Sequence, residues 1–342
     1  MDSQKSAKRL GPTISDVAER AGVSLSTVSR VMNGNRKVDE ALGERVREAA
    51  SALGYTANPL ARSLVLGRTQ TIAVVVPDLG NPTFQGALRG LSDAAGDDGY
   101  HVLIADTHEQ AEQEHDTVTQ ARRRCDGVVL VAPRMPDYEL AELLPLLSPV
   151  VTVNRVPSPG SMPTVPSASV DYRSGLAALL AHLYGLGHRR LLYLTGNPQA
   201  VSNRIRLEAI HEFEHSHPDA TVSLAPCGVG FSNGYEAAPT VLDSGATGVL
   251  AFNDLAAMGL LGALQERGVD VPGDISVTGF DDIPFARYTT PSLTTAAVSV
   301  DDLGRQAWLR MSALLQSHDA PADVVYTPRL AVRASTGPAR DA

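Results

Sequence analysis

Apolar residues recur at Ile14, Val17, Ala18 and Ala21, the i, i+3, i+4, i+7 spacing of one helix face. Thr13, three residues before Asp16, supplies a capping-box start. Gly22 supplies the stop, because glycine accepts the left-handed backbone that ends a helix. Val23 packs inward, and Ser24 caps a second helix whose inner face is Val28, Val31 and Met32. Leu25, Ser26, Ser29 and Arg30 are left facing outward. A third helix, from about Asp39 to Leu53, buries Val46, Ala49, Ala50 and Leu53 and carries Gly43 at a cost of up to ~1 kcal/mol. The first two helices, joined through a glycine turn, predict a helix-turn-helix with the second helix sized for a DNA major groove.

From Thr71 the pattern changes. "TIAVVVP", "YHVLIAD", "CDGVVLVAP", "PVVTVNR", "SVDY", "RRLLYLTG", "TGVLAFND" and "ISVTGFDD" read as short buried strands. Amphipathic segments such as 84–97 and 175–186 lie between them. Alternating strand and helix predicts an α/β body of doubly wound parallel sheets, and the number of strands predicts two lobes. Between head and body, Asn58-Pro59 is a loop signal, and Pro59 suits the first turn of a short helix running to Leu64.

Charge separates the same two parts. The chain has 342 residues, 20% of them charged and 43% hydrophobic, enough apolar material for substantial cores. Its net charge is −9, yet residues 1–68 carry eleven Lys and Arg against seven Asp and Glu, leaving −13 for the remainder. A basic head on an acidic body predicts a nucleic-acid reader with a separate regulatory part, not a general DNA-coating protein. The second helix is rich in Ser and Thr, which are poorer helix formers than Glu or Lys. Hydroxyls bond phosphate oxygens and base edges, and Arg30 can reach guanine O6 and N7 in bidentate fashion.

The stretch "ISDVAERAGVSLSTVSRVMNG" resembles the N-terminal signature of the LacI/GalR family of bacterial repressors, and "YGLGHRRLLYLTG", "AFNDLAAMG", "VPGDISVTGFDD" and "PSLTT" extend the resemblance over nearly the whole chain. The resemblance implies a helix-turn-helix head (1–57), a hinge helix and linker (58–69), and a periplasmic-binding-protein-like body (70–342) crossed three times by the chain. It implies that Leu25, Ser26 and Arg30 read bases and that Thr27 and Ser29 touch the DNA backbone. Thr13, Ser24, Asn33 and Tyr55 complete the expected contacts of the head. In the hinge, Asn58 can hold a phosphate and Ala61 permits close helix approach. Leu64 either packs on the body or, as the resemblance implies, wedges into a central base step, where unstacking is offset by contacts on the bent duplex. Leu42-Gly43 stands where the family has a polar, basic pair.

Ligands of open α/β sheets sit beyond the carboxyl ends of the strands. That rule points to Asn81, Phe84, Asp106, Asn154, Arg155, Arg204, Arg206, Asn253, Asp254 and Asp281. Asn, Asp and Arg bond vicinal hydroxyls in pairs, and an aromatic face such as Phe84 covers a sugar's C–H surface. The resemblance implies that Arg206 and Asp281 are the main effector contacts, followed by Asn253. Asn154 replaces a frequent Asp, and Phe231 is carried over although its spacing to Gly234-Tyr235 is two residues short. The expectation is a homodimeric repressor on a pseudo-palindromic double-stranded operator, controlled by a sugar bound between the lobes. A purine-type corepressor and a sugar-binding protein without a DNA role are the alternatives, and the helix-turn-helix speaks against the second.

Other chemistry is expected to be absent. "HEFEH" (211–215) matches the zinc-protease template, but no convincing third ligand follows. His182 and His188 flank "LYGLG" and read as a helix C-terminal cap with a favourable dipole interaction. "GVGFSNG" is not a dinucleotide fingerprint, and no nucleophile elbow appears. Cys125 and Cys227 are too few for a disulfide framework. The polar, basic first ten residues and the lack of a long apolar window predict a cytoplasmic protein with no membrane span, no metal, no cofactor and no catalysis. The tail "VRASTGPARDA" has no leucine heptad for tetramer formation.

Overall fold

The computed structural model describes residues 11–32, 38–55, 67–155, 160 and 163–340. Among the expected DNA contacts, Asn33, Asn58, Ala61 and Leu64 lie outside the described residues. The chain divides into two compact units, Met1–Thr69 and Gln70–Ala342.

The first unit holds α1 (Ile14–Ala21), α2 (Leu25–Met32) and α3 (Glu40–Leu53). Its capping box is present: the Asp16 carboxylate accepts from the Thr13 amide at 2.7 Å, and the Asp16 amide donates to Thr13 Oγ1 at 3.4 Å. Gly22 ends α1 at φ 63°. Val17, Ala18, Ala21, Val28, Val46, Ala49 and Ala50 form the core. Leu53, expected to be buried, is only half-buried against it. Arg45 of α3 donates to the Ala21 carbonyl at 2.6 Å and so satisfies one of the carbonyls left over at the end of α1.

The second unit contains two six-stranded sheets. Lobe I has the order β11-β5-β4-β3-β1-β2, and lobe II has β12-β10-β9-β8-β6-β7. Lobe I uses β1 (Thr71–Val76), β2 (His101–Asp106), β3 (Gly127–Val131), β4 (Val150–Val153), β5 (Ser167–Val170) and β11 (Val324–Tyr326). Lobe II uses β6 (Arg190–Thr195), β7 (Thr221–Pro226), β8 (Gly248–Ala251), β9 (Ser276–Asp281), β10 (Thr294–Ala297) and β12 (Arg329–Ala331). The pairing is parallel except between β10 and β12. The chain passes between lobes after β5, β10 and β11, three crossings at the same edge of the body. All eight strands read from the sequence are present, with one shift: "SVDY" stops being a strand at Val170, because Asp171 caps the next helix and Tyr172 begins it.

The helices are α4 (Pro82–Asp97), α5 (Ala111–Arg122), α6 (Asp137–Leu147), α7 (Tyr172–Gly185), α8 (Val201–Ser216), α9 (Phe231–Glu236), α10 (Ala238–Asp243), α11 (Asp254–Glu266) and α12 (Val300–Leu315). Strand alternation distributes them over two faces. Ile72, Val74 and Val76 face Leu88, Leu91, Leu303 and Trp308, whereas Ala73 and Val75 face Val118, Leu140 and Leu144. Both lobes contain a helix pair in near backbone contact. A Cβ added to Gly90 of α4 would lie 2.0 Å from the Asp301 carbonyl oxygen, and one added to Gly259 of α11 would lie 1.9 Å from that of Phe231.

His188 departs from the expected helix cap. It lies beyond the end of α7, is 1% exposed, and ties three segments of lobe II together. Its Nε2 lies 3.1 Å from the Gly337 carbonyl, which can only accept, so Nε2 carries the proton and Nδ1 accepts from Thr247 Oγ1 at 2.9 Å. Burial lowers its pKa, so the native state holds the neutral ring. The unfolded chain binds the extra proton below about pH 6.5 and the native state does not, so stability present above that pH is lost as pH falls. Thermal melts between pH 7.5 and 5 are expected to fall more steeply for the wild type than for His188→Gln; equal slopes would contradict this role.

Candidate functional site

In the head, α2 presents Leu25, 51% exposed, with Ser26 and Arg30 also exposed and Ser29 half-buried. Ser24 Oγ accepts from the Thr27 amide at 3.2 Å and lies 2.9 Å from both Ser26 Oγ and Thr27 Oγ1. The capping hydroxyl therefore lies within a surface chain of three hydroxyls. Arg30 Nε donates to the Ser26 carbonyl at 3.3 Å. Thr13 is occupied in its capping box, and Tyr55 packs against the head core.

In the body, six of the ten residues that the strand-end rule names come together. Asn81, Phe84, Asn154, Arg206, Asn253 and Asp281 line one cavity between the lobes, together with Thr83, Glu109, Ala132, Arg134, Tyr172, Ser202, Val229 and Phe252. The room inside is about 40 Å³. Arg204 and Phe231 are not brought there. Arg204 is exposed and pairs with Glu208 at 3.1 Å along α8. Phe231 is 49% exposed at the start of α9, and Val229 takes the position facing the cavity. Of the other strand-end residues, Asp106 accepts from the Leu79 and His108 amides, and Arg155 is buried against Asp137 and the Pro133 and Met135 carbonyls. Asp254 accepts from Thr295 Oγ1 at 2.6 Å and the Ile283 amide at 2.8 Å, a brace behind the cavity.

Arg206 is the centre of the cavity's chemistry. It is 2% exposed, donates to the Phe252 carbonyl, and lies 3.7 Å from the centre of the Phe280 ring. Its buried Nε has no hydrogen-bond partner. A buried donor left unpaired costs about 1–3 kcal/mol. Asp281 accepts from Thr83 Oγ1 of the other lobe at 2.9 Å. Burial raises its carboxyl to about pKa 6 against the pull of Arg206 and the Thr83 bond. Asn81 and Asn253 cap α4 and α11 with their side-chain oxygens, which fixes their amides at the cavity wall.

The backbone is strained around this cavity. Asn154 (φ 54°), Ala132 (φ 46°), Glu109 (φ 58°) and Asp281 (φ 109°) all sit in left-handed space without being glycine. Such conformations cost of order 1–3 kcal/mol each and gather at functional sites. The sequence reading passed over Glu109, Arg134 and Tyr172. The same strand-end rule reaches both charged residues, since Glu109 lies three residues after β2 and Arg134 three residues after β3.

Residues 13–58 match the model of bacterial regulatory proteins of the lacI family, and residues 180–336 match a periplasmic binding protein-like domain. The HTH-type transcriptional regulator GalR of Escherichia coli K12 is 34% identical over 329 residues, covering 94% of this chain and 95% of that protein. The chain belongs to the LacI family. This regulator is also similar in structure to the lac repressor dimer bound to operator and an anti-inducer, with a TM-score of 0.85, 25% identity, and coverage of 96% of this chain and 99% of that one. A LacI family regulator from Enterococcus faecium with bound ribose matches at a TM-score of 0.70 and 26% identity, covering 79% of this chain and 100% of that one. The regulator's HEFEH stretch lies on α8, where His211 and His215 are exposed and Glu212 pairs with Arg173. No described helix is long and apolar enough to cross a membrane.

Proposed function

We propose that this regulator is a homodimeric, cytoplasmic repressor without catalytic activity, whose operator affinity is set by a sugar or related polyol bound between the lobes. The observation that carries the effector site is the buried Arg206 guanidinium lining a cavity walled by amides, two carboxyls and aromatic faces. Ribose in the Enterococcus regulator and operator in the lac repressor dimer support the two ligand classes. Leu25, Ser26 and Arg30 read bases in a half-site, Ser24, Thr27 and Ser29 hold the backbone, and Thr13, Asn33 and Tyr55 complete the head's contacts. The segment 58–69 carries the signal, with Asn58 on phosphate, Ala61 at the helix pair and Leu64 in the minor groove. Effector binding selects one lobe angle, and the two hinge segments order or melt in response.

The base-reading role is tested with Arg30→Ala. Operator affinity is expected to fall by about 1–3 kcal/mol, with relaxed preference at one base pair per half-site. Binding of wild type to a set of single-base operator variants supplies the reference. An unchanged base preference in the variant removes Arg30 from readout. A binding constant that does not fall with salt removes DNA binding itself, since phosphate contacts release counterions.

A further inference from the structure

The cavity is lined by two cations and two carboxyls: Arg134, Arg206, Glu109 and Asp281. These four are not equivalent. Arg134 is 5% exposed and each of its three nitrogens is engaged: Nε and Nη2 each donate to Glu109 at 2.7 Å, and Nη1 donates to the Ala132 carbonyl at 2.9 Å. The pair is built from below. Buried Glu114 accepts from the Arg134 and Met135 amides at 2.8 and 2.7 Å, fixing the backbone from which Arg134 extends. Glu109 itself stands on two successive left-handed residues, His108 and Glu109. From lobe II, Asn197 Nδ2 donates to Glu109 at 2.7 Å.

Topology places this assembly. The three crossings lie at the β5, β10, β11 and β12 edge, so the opposite edge, with β2 and β7, is the mouth of the cleft. Glu109 follows β2 and Asn197 follows β6, next to β7. Asp281 ends the more central β9, and the Arg206 guanidinium packs over Phe280 of that same strand. A ligand's outer end therefore meets Glu109 and Arg134.

We infer that Glu109 is a specificity-determining residue: by neutralising Arg134 at the mouth, it reserves the cleft for uncharged polyols and excludes anionic effectors such as sugar phosphates. This rests on the reading of the cleft as the effector site. An arginine recognises phosphate through the planar fork of donors that Glu109 occupies here. An anion entering this site would find the Arg134 fork already taken by Glu109, and its charge would go unmatched in a region of low dielectric. A hydroxyl carries no charge and meets no such barrier.

The test is calorimetry on the full chain with ribose 5-phosphate and inorganic phosphate as probes. Wild type is expected to bind neither. Glu109→Gln keeps an oxygen for Asn197 and frees Arg134, and it is expected to bind ribose 5-phosphate about tenfold or more above wild type. Glu109→Gln/Arg134→Gln is expected to lose that gain. Glu109→Ser makes the same prediction without depending on the fit of glutamine. Arg134→Gln alone leaves Glu109 unbalanced and is expected to gain affinity for galactosamine, a cation. Equal phosphate-ester binding by wild type and both Glu109 variants, or a gain that survives loss of Arg134, overturns the proposal. Failure of every neutral sugar to bind wild type would instead sink the effector reading and leave the anion arms standing.

Discussion

Replacing Arg206 with alanine is expected to abolish the effector response while leaving operator binding intact. The guanidinium is buried, held by the Phe252 carbonyl and packed against Phe280, and it lines the cavity. Hydrogen bonds to a charged group contribute about 1.5–3 kcal/mol each, so losing one or two lowers effector affinity by about tenfold or more. Arg206→Lys should not restore it, because an ammonium cannot present the planar pair of donors. The readout is effector affinity by calorimetry beside operator affinity in the same preparation. A normal effector response in Arg206→Ala would move the residue out of the binding chemistry. Loss of both activities with a lowered melting temperature would make its role structural.

The second large effect is on stability. Gly259→Ala places a methyl group 1.9 Å from the Phe231 carbonyl oxygen, which is backbone and cannot swing aside. Lobe II must separate α9 from α11, at a cost of about 4 kcal/mol or more, among the largest effects of single substitutions. The melting temperature should fall by about 10 °C. Gly262→Ala is the internal control. It lies on the same helix with nothing within 4 Å of the added Cβ, and alanine is the better helix former there by about 1 kcal/mol. Comparable melts for the two variants would contradict the close helix crossing.

The head and eight of the twelve strands were legible because their periodicity is local and strong. The four missed strands lack that signal. β7 is an edge strand with mixed exposure ending at Pro226; β10 is short with two buried threonines; β11 and β12 are three residues each. Six of eight expected effector residues converge because they end strands or open the following helices, where topology alone fixes the position. Arg204 and Arg206 were both named, but two residues on a helix are about 200° apart, so one faces the cavity and the other solvent. Phe231 depended on loop spacing, which no periodicity fixes. His188 looked like a cap from its neighbours in sequence, whereas its partners Thr247, Ser276 and Gly337 are 59 to 149 residues away.

The central claim is that one chain couples a DNA-reading head to a polyol cleft. Its most direct measurement is operator affinity of the purified full chain, on fragments upstream of its own gene, with and without each member of a panel of neutral sugars and purines. A salt-sensitive complex on a pseudo-palindromic site is expected, whose affinity shifts with a neutral sugar and not with the purines. A specific complex that responds to no sugar, or responds only to a purine, would contradict it.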